Sequence, residues 1–409
     1  MSKFLTPHPT SSDATPSDPT SSLARDLQKP VIVQILPELN LGGVERGTVE
    51  VARAIIAAGG KAVVVSNGGH LVAQLKRIGA DHYTLPVHSK NPFKWGGIRR
   101  QLRKILLQVG ADIVHVRSRA PAWIALPATK SMGLKTVSTV HGKIGTPSLV
   151  KKIYNAKILR ADHVIAISHY TKNMIAKYFP KISLDSRLTV IHRGVDIGYF
   201  DATLVKQGRI VNEAIRLALP DDKPVVMMPA RPTAWKGHQV LLQAVAKMPK
   251  KDFTLVLLGI ADGSQKFYDQ ISTMVARLGL QSMVRLAEKS TDMPAAMMLA
   301  DVVVMPSIEP EPFGRVAIEA QAMGRPVVAF DHGGATESIQ HGETGFLAKA
   351  KDADHLAEMI ETALALGPRQ RKKLAQQARA AIEADFTTDI MCDKTIAIYD
   401  ALLSETEKS

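Results

Sequence analysis

From Val31 onward, short runs rich in β-branched residues alternate with helix-length amphipathic stretches, and midway the series stops and starts again. Parallel strands cannot be joined by a tight turn, so this rhythm favours sheets whose strands are linked through covering helices. The spacing predicts strands at 31–36, 61–66, 112–116, 135–140, 163–167 and 188–192, with helices in the gaps. It breaks near 196–220 and then predicts strands at 224–228, 253–258, 283–286, 301–305 and 326–330. Helical stretches follow at 352–366 and 369–384, and a last one at 389–403. Since 409 residues exceed what one hydrophobic core ordinarily serves, the restart reads as a second domain. The expected fold class is α/β, with two facing Rossmann-like doubly wound parallel-sheet domains at 29–205 and 206–388. Residues 389–409 are expected to form a C-terminal helix packing back toward the first domain. Ligands of such sheets bind at the carboxyl ends of the strands, here across one cleft.

Residues 1–28 are rich in Ser, Thr, Pro and Asp and hold few large apolar side chains, so they are expected to form a disordered tail. The single cysteine, Cys392, excludes an internal disulfide, and the start of the chain lacks the apolar stretch of a secretory signal. No apolar run approaches the ~18 residues of a spanning helix. A cytoplasmic protein is expected, with any membrane contact peripheral. The formal charge of +14 is unevenly placed: residues 31–205 carry 25 basic and 9 acidic side chains, residues 206–409 carry 24 and 26. The first domain therefore calls for an anionic partner, whether membrane, nucleic acid or charged glycan.

The most informative segment is P-S-I-E-P-E-P-F-G-R-V-A-I-E-A-Q-A-M-G-R-P-V-V-A, which follows the strand ending at Met305. Glu311 sits in a Pro-rich loop, and Gly314 opens the helix that carries Glu319. Free amides of that helix's first turn could face a phosphate. Taken alone, the pair also fits two solvated carboxylates beside a surface turn. The segment nevertheless resembles the Glu, seven residues, Glu signature of glycosyltransferase family 4, including Phe313, Gly314 and the Met-Gly and Pro-Val-Val that follow. The resemblance runs from Val31 to about residue 400. It implies a GT-B fold, with Glu319 on the donor ribose and Glu311 on the sugar hydroxyls.

Further motifs take their meaning beside that resemblance. In P-A-R-P-T-A-W-K-G-H, Arg231 offers a planar fork and Lys236 a point charge at a strand end, an arrangement suited to a diphosphate. A basic turn with Trp235 packed on a neighbour is the plainer alternative. In the family, the corresponding pair neutralises the leaving diphosphate, so no metal is expected. Gly42 and Gly43 in L-N-L-G-G-V-E-R-G let backbone approach a ligand, but the segment departs from the dinucleotide fingerprint G-x-G-x-x-G. The family places such a loop against donor phosphate and acceptor. His141, in V-S-T-V-H-G-K, could be a structural histidine, whereas the family carries a His in this setting that contacts the transferred sugar. His115 ends a strand at the same face, and Arg117 and Arg119 after it are candidate acceptor contacts. Gly333 and Gly334, in D-H-G-G-A-T-E-S-I, would bring backbone amides to the donor sugar, or merely cap a turn.

The stretch P-F-K-W-G-G-I-R-R-Q-L-R-K-I-L-L is a candidate membrane-facing helix, with Trp95, Arg99, Arg100, Arg103 and Lys104 as its surface contacts. The alternative is a helix whose apolar face covers the sheet.

The resemblance implies a metal-independent, retaining glycosyltransferase. It would move a hexose-type sugar from a nucleotide-diphosphate sugar to a hydroxyl of a glycan or glycolipid, with lipopolysaccharide core or envelope glycolipid synthesis as the setting. Expected partners are the nucleotide sugar, the acceptor and an anionic membrane surface at the inner face of the cytoplasmic membrane. No nucleic acid and no cofactor are expected. Rival readings are a sugar-nucleotide epimerase of the same fold, a non-catalytic sugar-nucleotide binding module and a nicotinamide-dependent oxidoreductase. The last lacks the glycine fingerprint with an acidic residue about 20 positions on.

Overall fold

A computed structural model describes residues 29–40, 42–145, 148–184 and 186–406. The tail expected at 1–28 lies outside the described residues. In chain order the first part runs β1 (Val31–Ile35), α1 (Gly43–Ala57), β2 (Lys61–Ser66), α2 (Val72–Arg77), β3 (Asp81–Thr84), α3 (Pro92–Val109), β4 (Ile113–Val116), α4 (Arg119–Lys130), β5 (Lys135–Val140), α5 (Leu149–Ala156), β6 (His163–Ala166), α6 (His169–Tyr178) and β7 (Leu188–Val190). The second part runs α7 (Gln207–Arg216), β8 (Val225–Pro229), α8 (His238–Lys247), β9 (Thr254–Leu258), α9 (Gln265–Arg277), β10 (Val284–Ala287), α10 (Met293–Leu299), β11 (Val302–Met305), α11 (Arg315–Ala322), β12 (Val327–Phe330), β13 (Phe346–Ala348), α12 (Ala353–Leu364), α13 (Pro368–Asp385) and α14 (Thr388–Thr406).

The strands form two wholly parallel sheets, ordered β3-β2-β1-β4-β5-β6-β7 and β10-β9-β8-β11-β12-β13. Each starts in the middle, winds outward one way, then returns past its first strand and winds the other way. This is the doubly wound topology, and it makes a crevice between β1 and β4 in one sheet and between β8 and β11 in the other. The central strands read as unbroken apolar runs because helices cover both faces of a parallel sheet. In β8, β9, β11 and β12 every residue is buried.

Two strands escaped the sequence reading. β3 is the polar run Asp-His-Tyr-Thr at a sheet edge, and β13 spans three residues at the edge of the other sheet. Edge strands bury one flank, so neither carries a central strand's apolar signature.

The chain divides into two compact units. The first takes the described residues up to Ile167, Met174–Ile191 and those from Cys392 onward; the second takes Ser168–Asn173 and His192–Met391. The division falls at Ile191 and His192 rather than at the expected 205/206. The stretch 196–220, where the rhythm of strands and helices breaks, contains α7. α14 belongs to the first unit from Cys392, where the Tyr399 hydroxyl lies 2.6 Å from Nδ1 of His115 on β4.

Candidate active site

In the second unit, the crevice lies where β8 and β11 release their chains in opposite directions. β8 leads through Arg231 to a 3-10 turn, Ala234–Lys236, and then to α8. β11 leads through the Pro-rich loop holding Ser307 and Glu311 to α11. The two loops are stitched together by the Ile308 N–H donating to the Trp235 carbonyl at 2.9 Å. Gly237 is essential to that approach. Its φ is +88°, and a Cβ there would stand 1.8 Å from the Pro306 carbonyl oxygen.

Lys236 Nζ lies 2.6 Å from Glu311 Oε1, and the Ser307 hydroxyl donates to the same oxygen. Both charged side chains are largely withdrawn from solvent, at 12% and 11% exposure. The ammonium also stands 4.4 Å from the centroid of the Trp235 ring, whose negative face favours a cation. The His332 Nε2–H donates to the Ser307 carbonyl at 2.7 Å, which ties in the loop after β12. That loop is pressed against Glu311 through its two glycines. Gly333 has φ +71° and would place a Cβ 2.6 Å from the Glu311 carbonyl oxygen, while the Gly334 N–H donates to that oxygen at 2.8 Å. The expectation that Gly334 offers its amide to a sugar is therefore corrected: the amide positions Glu311.

Gly314, at φ +96°, caps the start of α11. One turn in, Glu319 is 8% exposed and meets Arg315 NH2 at 3.1 Å. Phe313, expected against the donor, is 3% exposed and packs near the His192 and Phe386 rings at 5.7 and 5.9 Å. It is a packing residue that fixes the Glu311 loop from behind. Arg231 is exposed at the end of β8. The structure thus brings Lys236, Glu311, Gly333 and Gly334 into one cluster. It adds Ser307 and His332, which sequence reasoning missed; a Ser four residues before a loop glutamate is too common to signal itself.

In the first unit, Gly42 is the extended residue before α1, and its carbonyl accepts from the Arg46 N–H at 3.0 Å. Gly43 is exposed, and His141 is half-buried just after β5. His115 is 1% exposed, with Tyr399 on one ring nitrogen and the Thr139 hydroxyl 2.7 Å from the other. Burial, with help from Arg117, holds its pKa well below the usual imidazole range, so it serves as a neutral link between β4, β5 and α14. Arg117 corrects the acceptor expectation. It is 2% exposed and donates to Gln34 Oε1 at 2.9 Å, a buried brace from β4 to β1. Arg119 is half-buried and donates to the Lys143 carbonyl and to Asn155 Oδ1.

α3 also departs from the membrane-facing expectation. Ile98, Leu102 and Leu106 are buried in the unit's core. Trp95 stacks on Trp123 at 5.3 Å, and Arg99 donates to the Trp123 carbonyl at 2.9 Å. Both are held by α4, whereas Arg100, Arg103 and Lys104 remain exposed.

Among the described residues, the one group with metal-ligand geometry is His169, His192 and Glu337. The Glu337 carboxylate is already surrounded by donors: the His169 N–H at 2.8 Å, the Tyr170 N–H at 2.7 Å and the His192 ring at 2.8 Å. Burial would raise its pKa, but these bonds together hold it below the usual carboxylate value. The cluster anchors the start of α6.

Two doubly wound parallel-sheet units, the second with a Lys–Glu pair withdrawn from solvent at its switch point, describe a class of folds that bind nucleotides at the carboxyl ends of their strands. Comparison with known proteins makes this specific. The pattern described as glycosyl transferases group 1 matches residues 212–381, and that of glycosyltransferase family 4 matches residues 41–199. A glycosyltransferase structure from Rickettsia africae superposes with a TM-score of 0.84 at 35% identity, covering 92% of this chain and 99% of that one. Anabaena HepE, solved with UDP and glucose, gives a TM-score of 0.78 at 22% identity over 90% of this chain and 98% of its own. D-inositol 3-phosphate glycosyltransferase of Mycobacterium tuberculosis is 30% identical over 223 residues, 54% of this chain and 45% of that protein. The chain thus spans about half the length of the curated relatives it matches. It belongs to the group 1, family 4 glycosyltransferases of GT-B fold.

Proposed function

We propose that this chain transfers a hexose-type sugar, with retention of configuration and without a metal, from a nucleoside-diphosphate sugar to a hydroxyl of a glycan or lipid-linked acceptor. The observation that carries the reading is the Lys236–Glu311–Ser307 cluster at the switch point of the second sheet. A cation held in a low-exposure pocket by fixed partners is already oriented before charge develops, the condition under which electrostatic stabilisation is most effective. In the step proposed, the acceptor oxygen bonds to the anomeric carbon as the bond from that carbon to the diphosphate oxygen breaks. The acceptor proton passes to the departing diphosphate. Lys236 and Arg231 offset the negative charge that accumulates there, while Glu311 orients the sugar hydroxyls and Glu319 the ribose. His141 is read as a sugar contact and Gly42 and Gly43 as phosphate contacts, the roles that the family resemblance implies for them.

The acceptor is read as membrane-borne, as in envelope glycolipid or lipopolysaccharide core assembly, with the protein peripheral on the cytoplasmic face. This rests on the basic excess in residues 31–205. Among the described residues no helix is long and apolar enough to cross a membrane, so contact would be at the surface.

The test is a donor panel read by thermal shift, followed by product analysis with the stabilising donor. A ligand bound only by the folded state raises the melting point in proportion to its affinity. Transfer that continues in excess chelator, with release of nucleoside diphosphate and a retained anomeric configuration, is expected. Activity abolished by chelator and restored by Mg²⁺ refutes the metal-free step; sugar isomerisation without transfer refutes transfer itself.

A further inference from the structure

α5 is built inside out. An ordinary surface helix buries its apolar stripe and exposes its polar one. Here the buried residue is Asn155, whose amide donates to the Ile144 carbonyl at 2.8 Å while its oxygen accepts from Arg119 at 3.0 Å. Leu149, Val150 and Ile153, which share the opposite side at positions i, i+1 and i+4, are 71%, 77% and 57% exposed. Single exposed leucines are unremarkable, but three adjacent apolar side chains on a helix held by a buried amide form a patch.

Its surroundings are basic. From His82 to Ala161 the chain has 15 Lys and Arg and one acidic residue, Asp112. Beside Ile153 a cavity of about 310 Å³ is lined by Trp123, Ala156, Lys157 and Arg160. Burial, and after it repulsion from Arg160, Arg99 and Lys130, lowers the pKa of Lys157. Aromatic stacking, Trp95 on Trp123 and Trp123 on Tyr154 at 5.3 and 6.1 Å, makes α3, α4 and α5 one stiff surface.

We propose that this surface is where the first unit lies on an anionic phospholipid bilayer. Leu149, Val150 and Ile153 enter the boundary of the acyl chains, and Lys157, Arg160 and Lys130 meet lipid phosphates. The inference rests on the reading above that the acceptor is membrane-borne, and it moves the contact from α3, which buries Ile98, Leu102 and Leu106, to α5. An apolar helix face ringed by cations matches a surface that offers hydrocarbon beneath phosphate.

The experiment is co-sedimentation of the full chain with phosphatidylcholine vesicles, with and without phosphatidylglycerol. It compares wild type, Leu149→Ser/Val150→Ser/Ile153→Ser, Lys157→Glu/Arg160→Glu, and Arg100→Glu/Arg103→Glu/Lys104→Glu on α3. Wild type is expected to bind only vesicles containing phosphatidylglycerol. The serine and α5 charge-reversal variants should each lose roughly tenfold or more in partitioning, and the α3 variant less. Donor-induced thermal shift should be unchanged in all. Wild-type binding matched by the serine variant overturns the assignment to α5 and leaves the membrane reading standing. No binding of wild type to either vesicle overturns both. Concentration-dependent self-association of wild type that the serine variant abolishes overturns the proposal in favour of a contact between copies.

Discussion

Replacing Lys236 by Met separates the two roles of its ammonium, holding Glu311 in the folded protein and offsetting charge on the leaving group. Met preserves most of the volume, so the change is chiefly electrostatic. In the folded protein it strands the Glu311 carboxylate at 11% exposure with the Ser307 hydroxyl as its remaining side-chain donor. Breaking a buried pair from one side costs about 3–5 kcal/mol. A hydrogen bond to a charged group retains about 1.5–3 kcal/mol, which places the expected loss near the lower end of that range, about 3 kcal/mol. Turnover should fall separately, by about 10²–10³, the cost of one lost transition-state donor. Urea unfolding measures the first and nucleoside diphosphate release at saturating donor the second. The double variant Lys236→Met/Glu311→Gln distinguishes them, because it removes the stranded charge and leaves an amide oxygen that can still accept from Ser307. It should recover about 2 kcal/mol of stability and none of the turnover. If turnover returns along with stability, or if Lys236→Met is nearly silent in both assays, the pair is merely structural and the diphosphate site lies elsewhere.

Glu319→Ala should chiefly raise the KM for donor, since a ribose contact is made in ground and transition states alike, whereas Glu311→Gln should chiefly lower kcat; steady-state kinetics in which neither value moves would exclude both roles. Gly237→Ala forces a left-handed backbone and a Cβ onto the Pro306 carbonyl, so a loss of about 2–5 kcal/mol and of donor-induced thermal shift is expected, and a wild-type melting point would show that the loops do not meet as described. His238 is 1% exposed, and burial followed by the Lys236 charge pushes its pKa to about 4. Because the unfolded imidazole protonates first, near 6.5, its contribution is complete above that pH and is lost as pH falls from 6.5 toward 4, by at most about 3 kcal/mol. His238→Phe should flatten that part of the urea-midpoint profile, and an unchanged slope would assign the effect to other groups.

Much of the fold was legible before any coordinates. Parallel-sheet strands announce themselves as apolar runs because both faces are buried, and each of the eleven strands expected was found within a residue or two. β3, a polar run, and β13, three residues long, lie at sheet edges and were not legible for the converse reason. The Glu311 to Glu319 segment, Lys236 and the paired glycines were visible as motifs, since their chemistry depends on local spacing along strand-to-helix loops. What those residues touch was not. That Ser307 donates to Glu311, that the Gly334 amide turns to the Glu311 carbonyl, and that Arg117 braces Gln34 are facts of three loops and two strands meeting, with no trace in any one of them. The packing of α3 and α5 shows the same limit. Periodicity tells that a helix has an apolar side, but only the packing decides which side: α3 turns Ile98, Leu102 and Leu106 inward, while the buried hydrogen bonds of Asn155 turn Leu149, Val150 and Ile153 of α5 outward.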